Sequence, residues 1–420
     1  MELYYTFSIL IVLAAIFAYL NHRFLRLPSS IGIMLIALLV SVCIVLFGDR
    51  IAGNEISKFS SMITKLDFSD VLMGAMLNFL LFAGAIHINI NDLKSQKGAV
   101  MFFSTLGVVI STFMVGLLMY YILPVLNIHL PLIYCLIFGA LISPTDPIAV
   151  LSILKTTGVS KALETKFAGE SLFNDGVAVV LFAVLLNIAL GTSTDITIAN
   201  VGWLFVKEAG GGLVLGIALG QLCSYLMRKI DDYKVSVLMS LAVVMGGYLV
   251  AHSFHCSGPL TMVAAGLIIG NKNNTKGAMS EETKDYLNKF WELIDEILNA
   301  ILFLIIGFEL LIIPSIPNYW ILGFTSVVLV LIARFVSIYI PGRLFPKLNI
   351  NKAATTLLVW GGLRGGVSIA LALSLPVGEH KDLVLGITYF VVIFSILVQG
   401  LTLGNLAGRI KKMATQDKLK

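Results

Sequence analysis

Residues Gly169–Phe182 read GESLFNDGVAVVLF. The stretch opens polar and runs directly into an apolar segment, so two carboxylates, Glu170 and Asp175, fall where a membrane-crossing helix begins or is already under way. An ionised side chain at the bilayer centre costs about 3 kcal/mol or more, so each must find compensation. At ~100° per residue, Ser171 and Asp175 share one helix face, while Glu170 and Asn174 form the neighbouring stripe. Glu170 and Asp175, five positions apart, point in different directions and can serve different ends.

The surrounding chain makes the membrane reading general. It has 420 residues, 58% hydrophobic and 13% charged, with mean hydropathy +0.95; soluble domains carry about 25% charged residues. Repeated apolar runs of bilayer-spanning length predict an all-α polytopic membrane protein with about thirteen spans: 3–20, 31–47, 71–88, 99–123, 132–154, 168–190, 203–226, 235–252, 258–270, 290–313, 320–341, 352–375 and 383–407. The first span lacks the basic flank and small-residue cleavage site of a signal peptide and is expected to stay. The net charge of +5 is spread over short loops, which argues against a nucleic-acid partner. Cys43, Cys135, Cys223 and Cys256 show no CxxC spacing, so neither a disulfide framework nor a zinc site is expected.

Orientation follows from basic residues. With residues 408–420 as a short basic cytoplasmic tail, thirteen spans leave the N-terminus outside. The inner loops then gather Arg23, Arg26, Lys94, Lys97, Lys161, Lys166, Arg228, Lys229 and Arg343, and the outer loops hold few basic residues. Inside the spans remain Lys207, Arg334 and Arg364; Lys207 beside Glu208 reads as a snorkelling pair, and the two arginines need buried partners.

Two spans are interrupted. The fifth contains Leu141-Ile-Ser-Pro-Thr-Asp-Pro-Ile148, where Pro144 and Pro147 remove backbone donors. The twelfth contains Trp360-Gly-Gly-Leu-Arg-Gly-Gly-Val367, whose glycines weaken the helix and let backbones approach. If spans 1–6 and 8–13 are two six-helix halves, these breaks occupy matching places in segments of opposite direction. That is the pattern of an inverted repeat, whose interrupted helices mark a transporter binding site.

The chemistry of these residues suits a dehydrated alkali cation, which wants hard oxygen ligands. Asp175, Ser171 and the carbonyls freed near Thr145 supply them, and a proton can take the cation's place on the same carboxylate. Glu170 reads as structural, paired with either Arg334 or Arg364. Asn174 offers an amide to hold neighbouring backbone. Asp146 can sit at a half-helix N-terminus and Arg364 can satisfy freed carbonyls.

The motifs SPTDPIAV (Ser143–Val150), GESLFNDGVAVVLF and WGGLRGGVSIALALS (Trp360–Ser374) resemble those of the NhaP-type sodium/proton antiporters, relatives of the eukaryotic sodium–proton exchangers. The resemblance covers nearly the whole chain. It implies a secondary active antiporter of the cell membrane, not an enzyme and without a cofactor, that exchanges Na+ or Li+ for H+ by alternating access. It implies a homodimer in which a core domain (spans 3–6 and 10–13) moves against an interface domain built from the remaining spans. By similarity, Asp175 carries cation or proton, Thr145 and Ser171 are ion ligands, Asn174 precedes the carrier, Asp146 lies where the unwound helices cross, Glu170 pairs with Arg334, and Arg364 is the arginine of the Gly-rich twelfth span. Asn-Asp rather than Asp-Asp at 174–175 implies electroneutral one-for-one exchange. K+/H+ exchange is the alternative within the family.

Weaker signals have plainer readings. His252-Ser-Phe-His255-Cys256 lacks a fourth metal ligand and reads as loop; His87 and Glu309 read as interfacial. An intramembrane aspartyl protease would need Asp146 and Asp175 on one water, yet the Gly-x-Gly-Asp pattern of such enzymes is absent. A channel would need a repeated filter or ring of charge, and no such pattern occurs.

Overall fold

The computed structural model of the protein describes residues 2–51, 76–191, 198–272, 279–309, 319–348 and 350–417. Regular structure among them is entirely helical. In chain order the helices are α1 (Glu2–Leu20), α2 (Ser29–Ile51), α3 (Leu77–Ile86), α4 (Ile90–Ser95), α5 (Lys97–Ser104), α6 (Leu106–Ile122), α7 (Leu132–Ile142), α8 (Pro147–Thr157) and α9 (Lys161–Ala189). They continue with α10 (Ile198–Ile230), α11 (Tyr233–Ser253), α12 (Gly258–Lys272), α13 (Glu281–Phe308), α14 (Tyr319–Leu344), α15 (Lys352–Trp360), α16 (Gly366–Leu373), α17 (Glu379–Phe394) and α18 (Leu401–Asp417).

Eight helical segments among the described residues are long and apolar enough to cross a membrane, and Leu77–Ile86, Leu132–Ile142 and Gly258–Asn271 are shorter apolar helices. This is a multi-pass membrane protein. Parts of two expected spans, 71–75 and 310–313, lie outside the described residues, as do positions 418–420 of the expected tail. Residues 408–417 of that tail are helical and continue α18. α9 begins at Lys161, seven residues before the apolar run at 168, because its first two turns (Lys161, Glu164, Lys166) are polar and carry no hydropathy signal.

Local chemistry sets the helix ends. Asp232 caps α11 by accepting from the N–H groups of Lys234 and Val235 (2.8 and 3.1 Å). Asn351 caps α15 through Ala354 N–H (2.8 Å), and Ser280 caps α13 through Thr283 N–H. The fifth span divides into α7 and α8, with Pro147 at the first position of the second piece, where a missing N–H does no harm. The twelfth divides into α15 and α16 around the non-helical residues 361–365.

Packing relies on small residues, as expected where lipid supplies no hydrophobic drive between helices. Gly212, Gly216 and Gly220, four apart on α10, lie against α12; a Cβ on Gly216 would come within 2.7 Å of that of Ala264. Thr261 Oγ1 lies 3.1 Å from the Gly212 carbonyl oxygen, sealing the contact. On its other side α12 meets α3, where Gly266 faces the backbone of Phe82. Trp291 of α13 fills the space beside Phe82, ring centroids 4.5 Å apart, and its Nε1 donates to Ser240 Oγ (3.0 Å). α14 packs on α6 and α17, closing the opposite side around α7 and α9.

Glu309 departs from its interfacial reading. It is 2% exposed at the end of α13, and its Oε1 has no hydrogen-bond partner among the described residues. Hydropathy places a lone carboxylate near a span end at the interface; burial is set by tertiary packing, which hydropathy does not report.

Candidate ion-binding site

The two interrupted spans meet. The N–H of Asp146, between α7 and α8, donates to the carbonyl oxygen of Leu363, between α15 and α16, at 2.8 Å. Arg364 reaches back from the second break: its Nη1 donates to the carbonyl oxygens of Ser143 (2.6 Å) and Pro144 (2.9 Å). Pro147 has no N–H for the Ser143 carbonyl, and the unwinding before α8 takes the Pro144 carbonyl out of the helical ladder. A guanidinium bonded to two backbone oxygens is a tenable buried cation, and Arg364 is only 2% exposed. Its own N–H donates to Ser395 Oγ (2.8 Å), in the π-helical turn after α17. Gly365 is required here for space: a Cβ would lie 2.7–2.8 Å from atoms of the Asp146 side chain.

α9 runs past the crossing. Ser171 Oγ and Thr145 Oγ1 are 2.9 Å apart. Asn174 Nδ2 donates to the same Thr145 oxygen (2.9 Å), and its Oδ1 faces the Thr145 N–H at 3.5 Å. One amide thus holds the unwound backbone at Thr145 against α9. Asp175 follows on the face of Ser171. It is 6% exposed, and neither a hydrogen bond nor an ion pair holds its carboxylate among the described residues. Asp146 is near enough to interact with it electrostatically.

The other charges are neutralised in place. Arg334 of α14 donates from Nη1 to Glu170 Oε1, with both side chains buried. Its Nε and Nη2 donate to the Leu358 carbonyl oxygen at 3.3 and 3.2 Å. Of the two arginines open to Glu170 on sequence grounds, the structure pairs it with Arg334. Gly362 makes room for this pair, since a Cβ there would lie 2.8 Å from Arg334 Nε.

Thr145, Asp146, Glu170, Ser171, Asn174, Asp175, Arg334 and Arg364 therefore converge, drawn from α9, α14 and the two breaks. The sequence reading missed Ser395 and Gln399, whose Nε2 donates to the Trp360 carbonyl oxygen (2.9 Å). It also missed Asp295 on α13, which Asn299 bonds through Nδ2 (3.1 Å). The signal for Asp295 was present: Asp and Asn four apart inside an expected span share a helix face. Asp175, Ser171 and Thr145 together offer a carboxylate and two hydroxyls, the hard oxygen set that suits an alkali cation.

Comparison with known proteins identifies the family. Residues 11–408 match the family described as sodium/hydrogen exchanger, transmembrane. The chain is 48% identical over 408 residues to the Na(+)/H(+) antiporter NhaP of Pseudomonas aeruginosa, covering 95% of each chain. It is 38% identical over 387 residues to the Na(+)/H(+) antiporter NhaH of Halobacillus aidingensis, covering 91% of each. The solved structure of the sodium proton antiporter MjNhaP1 from Methanocaldococcus jannaschii has the same fold, with TM-score 0.77 at 19% identity over 98% of this chain and 99% of that one. By motif, fold and relatives, the chain belongs to the sodium/hydrogen exchanger family of membrane antiporters.

Proposed function

We propose that the protein exchanges Na+ or Li+ for H+ across the cell membrane, one for one, with Asp175 binding cation and proton in competition. The observation that carries this reading is a contrast among buried charges. Glu170 is matched by Arg334 and Arg364 by backbone carbonyls, whereas Asp175 has no fixed partner among the described residues. A buried carboxylate without a partner is costly while ionised, so Asp175 is most stable with either a proton or a cation on it. Ser171 and Thr145 lie beside it with oxygens for the cation.

Coupling follows. A site carrying H+ or Na+ has the same net charge and can cross between the two sides of the membrane at equal electrostatic cost. An empty site carries an extra negative charge and is held back. Exchange is then obligatory and electroneutral. In this reading spans 3–6 and 10–13, which contain every site residue named above, form a core that moves against an interface domain, and two copies pair through the latter. The segregation of basic residues supports an outer N-terminus and a cytoplasmic C-terminus.

The test is proton flux in proteoliposomes loaded with an internal pH dye, adding Na+, Li+ or K+ in turn, for wild type and Asp175→Asn. Dissipation of the gradient by Na+ or Li+, independent of an imposed voltage and abolished by the substitution, is expected. Response to K+ alone would replace the substrate, and an active Asp175→Asn would remove the assigned site.

A further inference from the structure

A cavity of about 610 Å3 lies apart from the ion site, between α14, α15 and α18. Phe335, Val359, Trp360 and Leu406 line it, with Thr402 toward one end and Arg409 toward the other. α15 and α18 run antiparallel along it. Trp360, last in α15, donates from Nε1 to Thr402 Oγ1 near the start of α18 (2.9 Å). Arg409, two turns further along α18, lines the cavity with Thr355 and Thr356 near the beginning of α15, and Lys352, first in that helix, is exposed. Because the indole donor is already satisfied, the Trp360 end presents ring faces and methyl groups with no indole N–H awaiting a partner. The chamber is thus mostly apolar, with Thr355, Thr356 and Asn405 on its walls and a cation at one end. Its outer wall is lipid-facing surface, with Phe335 46% exposed.

We propose that this cavity binds one acyl chain of an anionic phospholipid, with the lipid phosphate at Arg409 and Lys352. Charge complementarity selects the occupant. A neutral apolar molecule would leave the arginine unused, and a free phosphate would leave the apolar chamber unfilled. A cation at the end of a spanning helix lies at headgroup depth, and juxtamembrane Lys and Arg favour anionic lipid there. The volume lies within the range of about 300–1,000 Å3 of specific small-molecule sites. The occupant would lean on Trp360, which directly precedes the break that delivers Arg364. The proposal is independent of the assigned transport chemistry.

The test is lipid titration of the detergent-solubilised full chain, read by native mass spectrometry with phosphatidylglycerol and phosphatidylcholine of identical chains. Wild type should prefer phosphatidylglycerol by about fivefold or more, Arg409→Gln should remove that preference, and Leu406→Trp, which fills the chamber, should weaken both lipids. Phosphatidylglycerol with brominated chains should quench wild-type fluorescence more than that of Trp360→Phe, which keeps Trp203, Trp291 and Trp320, the difference being the Trp360 share. Glycerol 3-phosphate, the anion without the chain, should not displace the lipid. Equal binding of the two lipids by wild type, absence of Trp360 quenching, or displacement by glycerol 3-phosphate would each overturn the assignment, and none of the three depends on Arg409→Gln or Leu406→Trp folding.

Discussion

The N–H of Asp146 donates to the carbonyl oxygen of Leu363 at 2.8 Å, joining two breaks more than two hundred residues apart in the chain. Neither break would be stable by itself within a bilayer, where unpaired backbone groups cost several kcal/mol each. Each supplies what the other lacks: a donor at Asp146, and an arginine at 364 for the freed carbonyls of Ser143 and Pro144.

Arg364→Gln is therefore expected to destabilise the protein and abolish exchange. Two charge-assisted bonds are lost, each contributing about 1.5–3 kcal/mol. Thermal unfolding in detergent should show a markedly lower Tm, and proteoliposomes should show no Na+-driven proton flux. A variant with wild-type Tm would mean that the carbonyls find other donors.

Glu170 and Arg334 should behave as a coupled pair. Glu170→Gln or Arg334→Gln alone leaves a buried charge unmatched, a loss of about 3–5 kcal/mol. The double variant should lose clearly less than the sum of the two. A thermodynamic cycle built from the three variants measures the coupling, and simple additivity would contradict the pairing.

Gly365→Ala places a methyl group 2.7–2.8 Å from the Asp146 side chain and should impair transport by displacing it. Gly246→Ala on α11 meets no atom within 4 Å and serves as the control, with unchanged flux and equal or higher Tm. Equal flux in both variants would show that the Asp146 position is not constrained.

At the solvent-exposed turn after α10, Asp231 Oδ1 accepts from Ser280 N–H (2.9 Å) and Ser280 Oγ (3.0 Å), tying that turn to the start of α13. These bonds hold its carboxyl below the usual carboxylate range. A depressed folded value gives stability that is present above the unfolded value and lost as pH falls through the folded one. The Tm difference between wild type and Asp231→Asn should be present at pH 7 and shrink below about pH 4. A difference that grows on acidification would reverse the assignment.

Much of this site is legible in the chain because proline, glycine and buried charge leave strong local traces. Pro144, Pro147 and the glycines around Arg364 mark both breaks, and Asp175 and Ser171 fall on one face by spacing alone. What depends on tertiary crossing is not legible. No local pattern shows that Asn174 bridges to Thr145, that Ser395 holds the Arg364 backbone, or that Glu309 is buried. The start of α9 lies outside the apolar pattern for a related reason: hydropathy reports where a helix meets lipid, not where its hydrogen bonding begins.

The pairing of Glu170 with Arg334 also has a consequence in time. The two positions are separated by 164 residues. At synthesis rates of about 5–20 residues per second, the glutamate leaves the ribosome roughly 8–33 seconds before its arginine. During that interval the N-terminal half must carry Glu170 into the membrane as a protonated acid or keep it in contact with water. Arrival of α14 then ends the wait, so insertion of the second half completes the folding of the first.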